Sequence, residues 1–153
     1  MTQPTTLNHC PNSWGHYTIY LVACASTKRN QAAPARDLYV SALFSKSRAM
    51  AEKRSDHWFI LSAQHHLLSP DQYIAPYNRT LGDLTRQERR AWASKVLEQL
   101  KLIVQSGDTV VFLAGKNYRE ELIPALQILG CNVETPMEGL SIGYQLQWLD
   151  KNK

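Results

Sequence analysis

The stretch Asp108-Thr-Val-Val-Phe-Leu-Ala-Gly-Lys-Asn-Tyr-Arg119 reads as a strand that runs straight into a loop. Thr109 to Leu113 is a short apolar run rich in β-branched and aromatic residues, the pattern of a strand covered on both faces of a parallel sheet. Gly115, Lys116, Asn117 and Tyr118 follow it at once. The arrangement recurs in Cys131-Asn-Val-Glu-Thr-Pro-Met-Glu-Gly-Leu-Ser-Ile-Gly-Tyr144, where Val133 to Pro136 leads into Glu138, Gly139 and Ser141. Ligands of open parallel sheets bind outside the carboxyl ends of the strands, so these two loops describe two halves of one pocket.

Working outward, the remaining elements alternate. Tyr17 to Ala25 is a continuous apolar run that ends in Ser26-Thr-Lys-Arg-Asn30. After Ala32-Ala-Pro-Ala35, Asp37 is placed as the N-cap of a helix whose apolar positions Leu38, Ala42, Leu43 and Met50 recur near the helical period. A second strand, His57-Trp-Phe-Ile-Leu-Ser62, opens onto a long polar and aromatic connection from Ala63 to Asn78, and connections of that length inside one domain tend to be functional. Thr85-Arg-Gln-Glu88 has capping-box spacing and starts a helix to about Val104 that buries Trp92, Val96, Leu97, Leu100, Ile103 and Val104. Gly107-Asp108 turns the chain into the third strand, a helix from about Arg119 to Leu129 ends at Gly130, and the fourth strand and a helix over roughly Ser141 to Leu149 follow. The expectation is a single three-layer α/β domain over 17–150 with a central four-stranded parallel sheet, preceded by an irregular lead-in over 1–16 that holds Pro4, Pro11, Asn12 and Gly15.

Composition narrows the class. A chain of 153 residues, 44% hydrophobic and 20% charged, has room for one well-formed core and none for a second domain. No apolar run approaches the roughly 18 to 20 residues of a membrane span, and Met1-Thr-Gln-Pro-Thr-Thr lacks the regions of a signal peptide, so a soluble, cytoplasmic protein is expected. Cys10, Cys24 and Cys131 show no zinc-ligand spacing, as a reducing compartment tolerates. The net charge of +4 is uneven. Lys28, Arg29, Arg36, Lys46, Arg48, Lys53 and Arg54 form one basic stretch, and Arg79, Arg86, Arg89, Arg90 and Lys95 another; either a phosphate backbone or a merely solvated face would account for them.

No GxGxxG, P-loop, HExxH or Gly-x-Ser-x-Gly pattern occurs, which removes support from P-loop hydrolysis, zinc proteolysis and esterase chemistry together. No metal and no cofactor is expected. What the topology gathers at one edge of the sheet is Ser26 to Asn30, Gln64 to His66, Gly115 to Tyr118 and Pro136 to Ser141.

Val-Val-Phe-Leu-Ala-Gly-Lys-Asn-Tyr followed by Pro-Met-Glu-Gly-Leu-Ser-Ile-Gly-Tyr resembles the closing half of the uracil-DNA glycosylase superfamily. There a buried strand ends in a Gly-containing turn, and the next in a Pro/Ser-rich motif that presses on DNA. The wider set, Leu-Val-Ala-Cys-Ala-Ser-Thr-Lys, Ala-Arg-Asp-Leu-Tyr, Ile-Leu-Ser-Ala-Gln-His-His-Leu-Leu-Ser-Pro-Asp and Leu-Ala-Gly-Lys-Asn-Tyr-Arg, resembles a family of small bacterial proteins over roughly Tyr17 to Trp148. That family is similar to a domain of archaeosine-type tRNA-modifying enzymes and to antiphage DNA glycosylases that remove glucosylated hydroxymethylcytosine. The first strand lacks the water-activating Asp or Asn of uracil-DNA glycosylases, and the last motif lacks their His, so catalytic residues do not transfer one for one.

What the resemblance implies is excision of a modified base from DNA, plausible partners being phage DNA with modified cytosine and no obligate protein. Such a reaction passes through an oxocarbenium-like sugar and needs a carboxylate beside it, donors for the departing base and an aromatic wall. Asp37, Asp71 and Glu138 are the candidate carboxylates; as structural alternatives, Asp37 is a helix N-cap, Asp71 a turn residue after Pro70, and Glu138 a surface charge at the Gly139 turn. His65 and His66 are candidates to protonate or hydrogen-bond the base. Ser26 and Lys28 suit a base edge or a phosphate, and an amine such as that of Lys28 can also attack the sugar. Tyr39, Tyr77 and Tyr118 offer stacking surfaces or core packing, while Gln64, Asn78 and Asn117 offer amide readout. Gly115 supplies the close turn. Arg29 and Arg36 are candidates for the DNA backbone, and the Gly139-Leu140-Ser141 loop for the duplex, with Leu140 as its wedge. Two other functions fit the same residues: a tRNA or 7-deazaguanine base-modifying enzyme, and a non-catalytic nucleotide or nucleic-acid-binding module.

Overall fold

The computed structural model describes residues 16–153, so all of the expected lead-in but His16 lies outside the described residues. The first strand, β1 (Thr18–Ala23), sends alternate side chains to opposite faces. Ile19 and Leu21 enter one apolar cluster, Tyr20 and Val22 the other. β3 (His57–Ser62) and β6 (Thr109–Leu113) run parallel to β1 on its two sides, and β7 (Asn132–Glu134) runs parallel to β6. Helices α3 (Arg86–Lys101) and α5 (Leu122–Ile128) cover the Ile19 face, and α2 (Ala42–Arg54) and α6 (Ile142–Lys151) the Tyr20 face. This is the expected α/β architecture in one domain.

The sheet itself departs from the expectation. It has five strands, in the order β4 (His66–Leu68), β3, β1, β6, β7, and is mixed rather than four-stranded and all-parallel. The additional strand, β4, lies in the connection read as a loop and folds back antiparallel on β3, with Ser62 opposite His66. Only three residues separate the two strands, and tight hairpins of that length place a left-handed residue at the end of the turn. His66 takes that role with φ 64°, where glycine is usual. The same connection contributes β5 (Tyr73–Ile74), which pairs antiparallel with β2 (Ala33–Pro34) in a separate two-stranded ribbon.

Two helix expectations are corrected. Asp37 is not an N-cap: it lies inside a four-residue helix, α1 (Ala35–Leu38), and the chain leaves that helix at Tyr39. The backbone there is drawn into extended pairing with the loop after β1, the Arg29 amide donating to the Leu38 carbonyl at 2.9 Å and the Val40 amide to the Thr27 carbonyl at 3.0 Å. The cap of α2 is Ser41, whose hydroxyl accepts from the Phe44 amide at 3.1 Å. The helix expected over 119–129 is two, α4 (Lys116–Arg119) and α5. Pro124 has no amide hydrogen to give the Glu120 carbonyl and its ring crowds that carbonyl, so one helix cannot continue through both. Thr85 and Glu88 form the expected capping box, their reciprocal bonds measuring 2.8 and 3.1 Å, and Gly130, at φ 91°, closes α5. Asp108, fully buried, accepts from the Tyr17 amide at 2.9 Å and the Gln105 amide at 3.0 Å and ties the start of β1 to the turn before β6.

Because β1 is followed by β3 on one side and by β6 on the other, the order of the strands reverses at β1. The crevice outside the carboxyl ends of β1 and β6 is where open α/β sheets bind ligands.

Candidate functional site

A cavity of about 520 Å³ occupies that crevice, within the range of sites that take small organic ligands. Its walls come from the ends of three parallel strands and from the helices of the Tyr20 face. Cys24, Ala25 and Ser26 follow β1; Ala114, Gly115, Lys116 and Arg119 follow β6; Thr135, Met137, Glu138, Gly139 and Leu140 follow β7. The first turn of α2, from Ser41 to Phe44, and Ile142 of α6 close it. Glu138 is the carboxylate on this wall. It is held by a tight turn: Thr135 donates its hydroxyl to Glu138 Oε1 at 2.8 Å, the Glu138 amide donates to the Thr135 carbonyl, and Gly139 completes the reversal at φ 81°.

Beside the cavity, at the ends of β1 and β3, stands a cluster of hydroxyls and rings. Tyr77 shares hydrogen bonds with Tyr39 (2.6 Å between hydroxyl oxygens) and with Ser62 Oγ (2.8 Å). Ser62, buried at the end of β3, also accepts from the amides of Gln64 at 3.2 Å and His65 at 2.9 Å, which fixes the hairpin turn. The His65 ring meets Tyr77 edge-on at 5.2 Å. Lys28 Nζ sits 4.3 Å from the centre of the Tyr77 ring and 5.7 Å from that of Tyr39, near enough for cation–π attraction. Cys24 belongs to both parts of the site: it lines the cavity, and its Sγ lies 3.4 Å from the Tyr118 hydroxyl. Burial raises the pKa of Tyr39, Tyr77 and Tyr118, and the neighbouring Cys24 thiol raises each further. All three therefore stay neutral hydroxyls at physiological pH. Desolvation lowers the Lys28 pKa, with Cys24 opposing the shift.

One family model, described as a family of unknown function, DUF6884, matches residues 19–151. The chain belongs to this family. No curated protein and no solved structure matches it. The matched span runs from the second residue of β1 to the last of α6, so the cavity and the hydroxyl cluster both fall inside the DUF6884 domain.

Of the residues singled out in this DUF6884 chain, Ser26, Gly115, Glu138, Gly139 and Leu140 line the cavity. Lys28, Tyr39, His65, Tyr77 and Tyr118 form the adjoining cluster. Asp37 and Asp71 belong to neither group. Arg48 donates to Asp37 Oδ1 at 3.0 Å, Arg36 pairs with Asp71, and the Asp71 side chain is 86% exposed. Arg36 is thereby engaged in an intramolecular pair, while Arg29, Asn78, Asn117 and Ser141 are exposed. Gln64 and His66 line a smaller cleft of about 240 Å³ with Arg79, Glu88 and Lys95. Leu140 is half-buried against the core, and Ile142 and Tyr144, at the start of α6, are the more exposed apolar groups beside it.

Cys24, Ser62 and Arg119 have a part that the sequence reading did not assign them, and Lys116, read there as part of the pocket loop, was given no role of its own. Lys116 and Arg119 stand three positions apart in the loop already marked as half of a pocket, a spacing that places both on one helical face. Ser62 carried no such mark, since a serine at a strand end is ordinary. Among the described residues no group of three or more His, Cys, Asp or Glu is arranged to hold a metal ion, and no helix is long and apolar enough to cross a membrane.

Proposed function

We propose that this protein hydrolyses the N-glycosidic bond of a modified base in DNA, leaving an abasic site, and that glucosylated 5-hydroxymethylcytosine in phage DNA is its substrate, in an antiviral role. The observation that carries the reading is Glu138, a carboxylate on the wall of a nucleotide-sized cavity at the strand-order reversal, next to a wall of neutral hydroxyls and rings. The chemistry asks for those two surfaces. As the bond from the sugar C1′ to the base nitrogen breaks, its electrons leave with the base, and positive charge grows on the sugar, where a carboxylate stabilises it. Glu138 takes the proton of the water whose oxygen bonds to C1′. The departing base gains a proton from a neighbouring donor, for which His65, edge-on to Tyr77, is the candidate; burial lowers its pKa, so this step is favoured on the acid side of neutrality. Ring faces of Tyr77 and Tyr118 serve to hold the flipped base, and Ile142 and Tyr144 serve to fill the space it leaves in the duplex. Asp37 and Asp71 are not the proposed carboxylates, because each is engaged by an arginine away from the cavity.

The test is incubation of the purified protein with unmodified, hydroxymethylated and glucosylated phage DNA, followed by assay of alkali-labile sites and of released base by mass spectrometry. Release of one modified base is expected, and Glu138→Gln should lower its rate by about 10²–10⁴-fold while DNA binding persists. Folded protein that binds glucosylated DNA and releases no base from it would end this reading and move the weight to tRNA.

A further inference from the structure

Among the described residues, Arg119 Nε is the buried side-chain nitrogen without a hydrogen-bond partner. A guanidinium cannot shed its proton, so Arg119 brings a full positive charge to this part of the fold; Nε itself is closed to solvent, and only the rest of the guanidinium is left to meet a ligand. Arg119 lines the cavity described above, as does Lys116, one helical turn before it, and neither is ion-paired among the described residues. Other basic residues nearby are spoken for: Arg36 and Arg48 by Asp37 and Asp71, Lys46 by Asp150. The same wall includes the first turn of the 13-residue helix α2, whose leading amides have no acceptor within the helix and whose dipole favours an anion. Ser41 satisfies one of those amides, that of Phe44, and leaves the positive end of the helix uncompensated by any acidic residue in its first turn.

We infer that Lys116, Arg119 and the first turn of α2 form a phosphate subsite in the cavity. Donors from two elements converge on one space, which suits a tetrahedral anion with several oxygens better than a single planar carboxylate, and the planar guanidinium can engage two phosphate oxygens at once. Glu138, the carboxylate on the wall, gives the cavity an acidic group as well as a basic pair, so a bound nucleotide is oriented by charge. The phosphate goes to Lys116 and Arg119, and the sugar is left to Glu138. The inference rests on the glycosidase reading for the identity of the phosphate's bearer, a nucleotide, whereas the subsite itself rests on the cavity and its cations.

Isothermal titration of the full chain with deoxycytidine 5′-monophosphate and with deoxycytidine, in phosphate-free buffer, tests it. The monophosphate should bind at least about ten-fold more tightly, as one charge-assisted contact suffices to give. Inorganic phosphate should compete with it. K116Q and R119Q should each remove most of that preference without changing affinity for the nucleoside. Lys116 is exposed, so K116Q keeps the test decisive should R119Q fold poorly. Equal affinity of nucleoside and nucleotide for the wild type, or an unchanged preference in K116Q and folded R119Q, would overturn the subsite. A short oligonucleotide that competes better than the monophosphate assigns the phosphate to a strand, and the reverse assigns it to a free nucleotide. Phosphate preference without base release from any DNA would remove the glycosidase reading and leave the subsite standing; base release undiminished in both variants would do the opposite.

Discussion

Removing one oxygen, in Tyr77→Phe, tests the wiring of the site. Ser62 Oγ accepts from two backbone amides, at 3.2 and 2.9 Å, so both its lone pairs are used and its hydrogen must go to the Tyr77 oxygen. The Tyr77 hydrogen is then left to donate to Tyr39, 2.6 Å away. The chain of donors runs Ser62 to Tyr77 to Tyr39. Deleting the middle hydroxyl breaks two bonds, each contributing about 1 kcal/mol net, and strands the Ser62 donor, which is 0% exposed, at a further cost of about 1 kcal/mol. The sum is about 3 kcal/mol.

Tyr39→Phe breaks one bond and leaves its donor on Tyr77, which is only half-buried and can turn toward water, for about 1 kcal/mol. Urea denaturation of the two single variants and the double variant reads these values directly. The double variant should cost less than the sum of the singles by about 1 kcal/mol, because the bond they share is lost once. The phenyl ring stays under Lys28 in Tyr77→Phe, so the cation–π contact does not confound the measurement. A Tyr39→Phe penalty equal to that of Tyr77→Phe, or strict additivity of the two, would refute the proton order.

Two further outcomes concern the hairpin and the turn before β7. Burial lowers the pKa of His65 and His66 below 6.5, and Lys95, His65 and Arg79 lower that of His66 further. Below the ordinary value the unfolded chain takes up protons that the folded one does not, so stability should fall as pH drops from about 7 to 5.5. The urea midpoint followed over that interval should decline and should flatten in a His65→Gln/His66→Gln variant; a midpoint rising toward acid would contradict the burial. Gly130→Ala should cost about 2 kcal/mol or more by thermal or urea unfolding, because φ is 91° and a Cβ there would overlap the Ser106 side chain. Full stability in that variant would mean that the turn is not held as described.

The three long parallel strands were legible because a strand buried on both faces needs an unbroken apolar run, and Thr18–Ala23, His57–Ser62 and Thr109–Leu113 each provide one. β4 was not. Three residues are too few for a period to register, and its place at the sheet edge depends on Ser62 anchoring the turn and on His66 accepting a left-handed backbone. The false continuity of Asp37 with α2 has a similar cause. Leu38, Ala42, Leu43 and Met50 fit a helical spacing, but backbone pairing with residues 27–29 outweighs that pattern at Tyr39 and Val40.

Topology alone brought the right loops together, and chemistry within them was harder to sort, since the fate of a carboxylate depends on which arginine reaches it. Asp37 and Asp71 look as available in the sequence as Glu138 does. Arg48 lies 11 residues beyond Asp37 and Arg36 lies 35 before Asp71, and neither separation implies a pair without the fold. The folded arrangement also separates two kinds of surface that the sequence mixes. Tyr39, Tyr77 and Tyr118 stand as neutral hydroxyls, suited to the uncharged edge of a base, whereas Lys116 and Arg119 offer positive charge, suited to a phosphate. Cys24 stands at their junction, on the cavity wall and against Tyr118. A side chain larger than cysteine there would push the tyrosine wall and narrow the cavity together, so the two surfaces cannot be altered independently from that position.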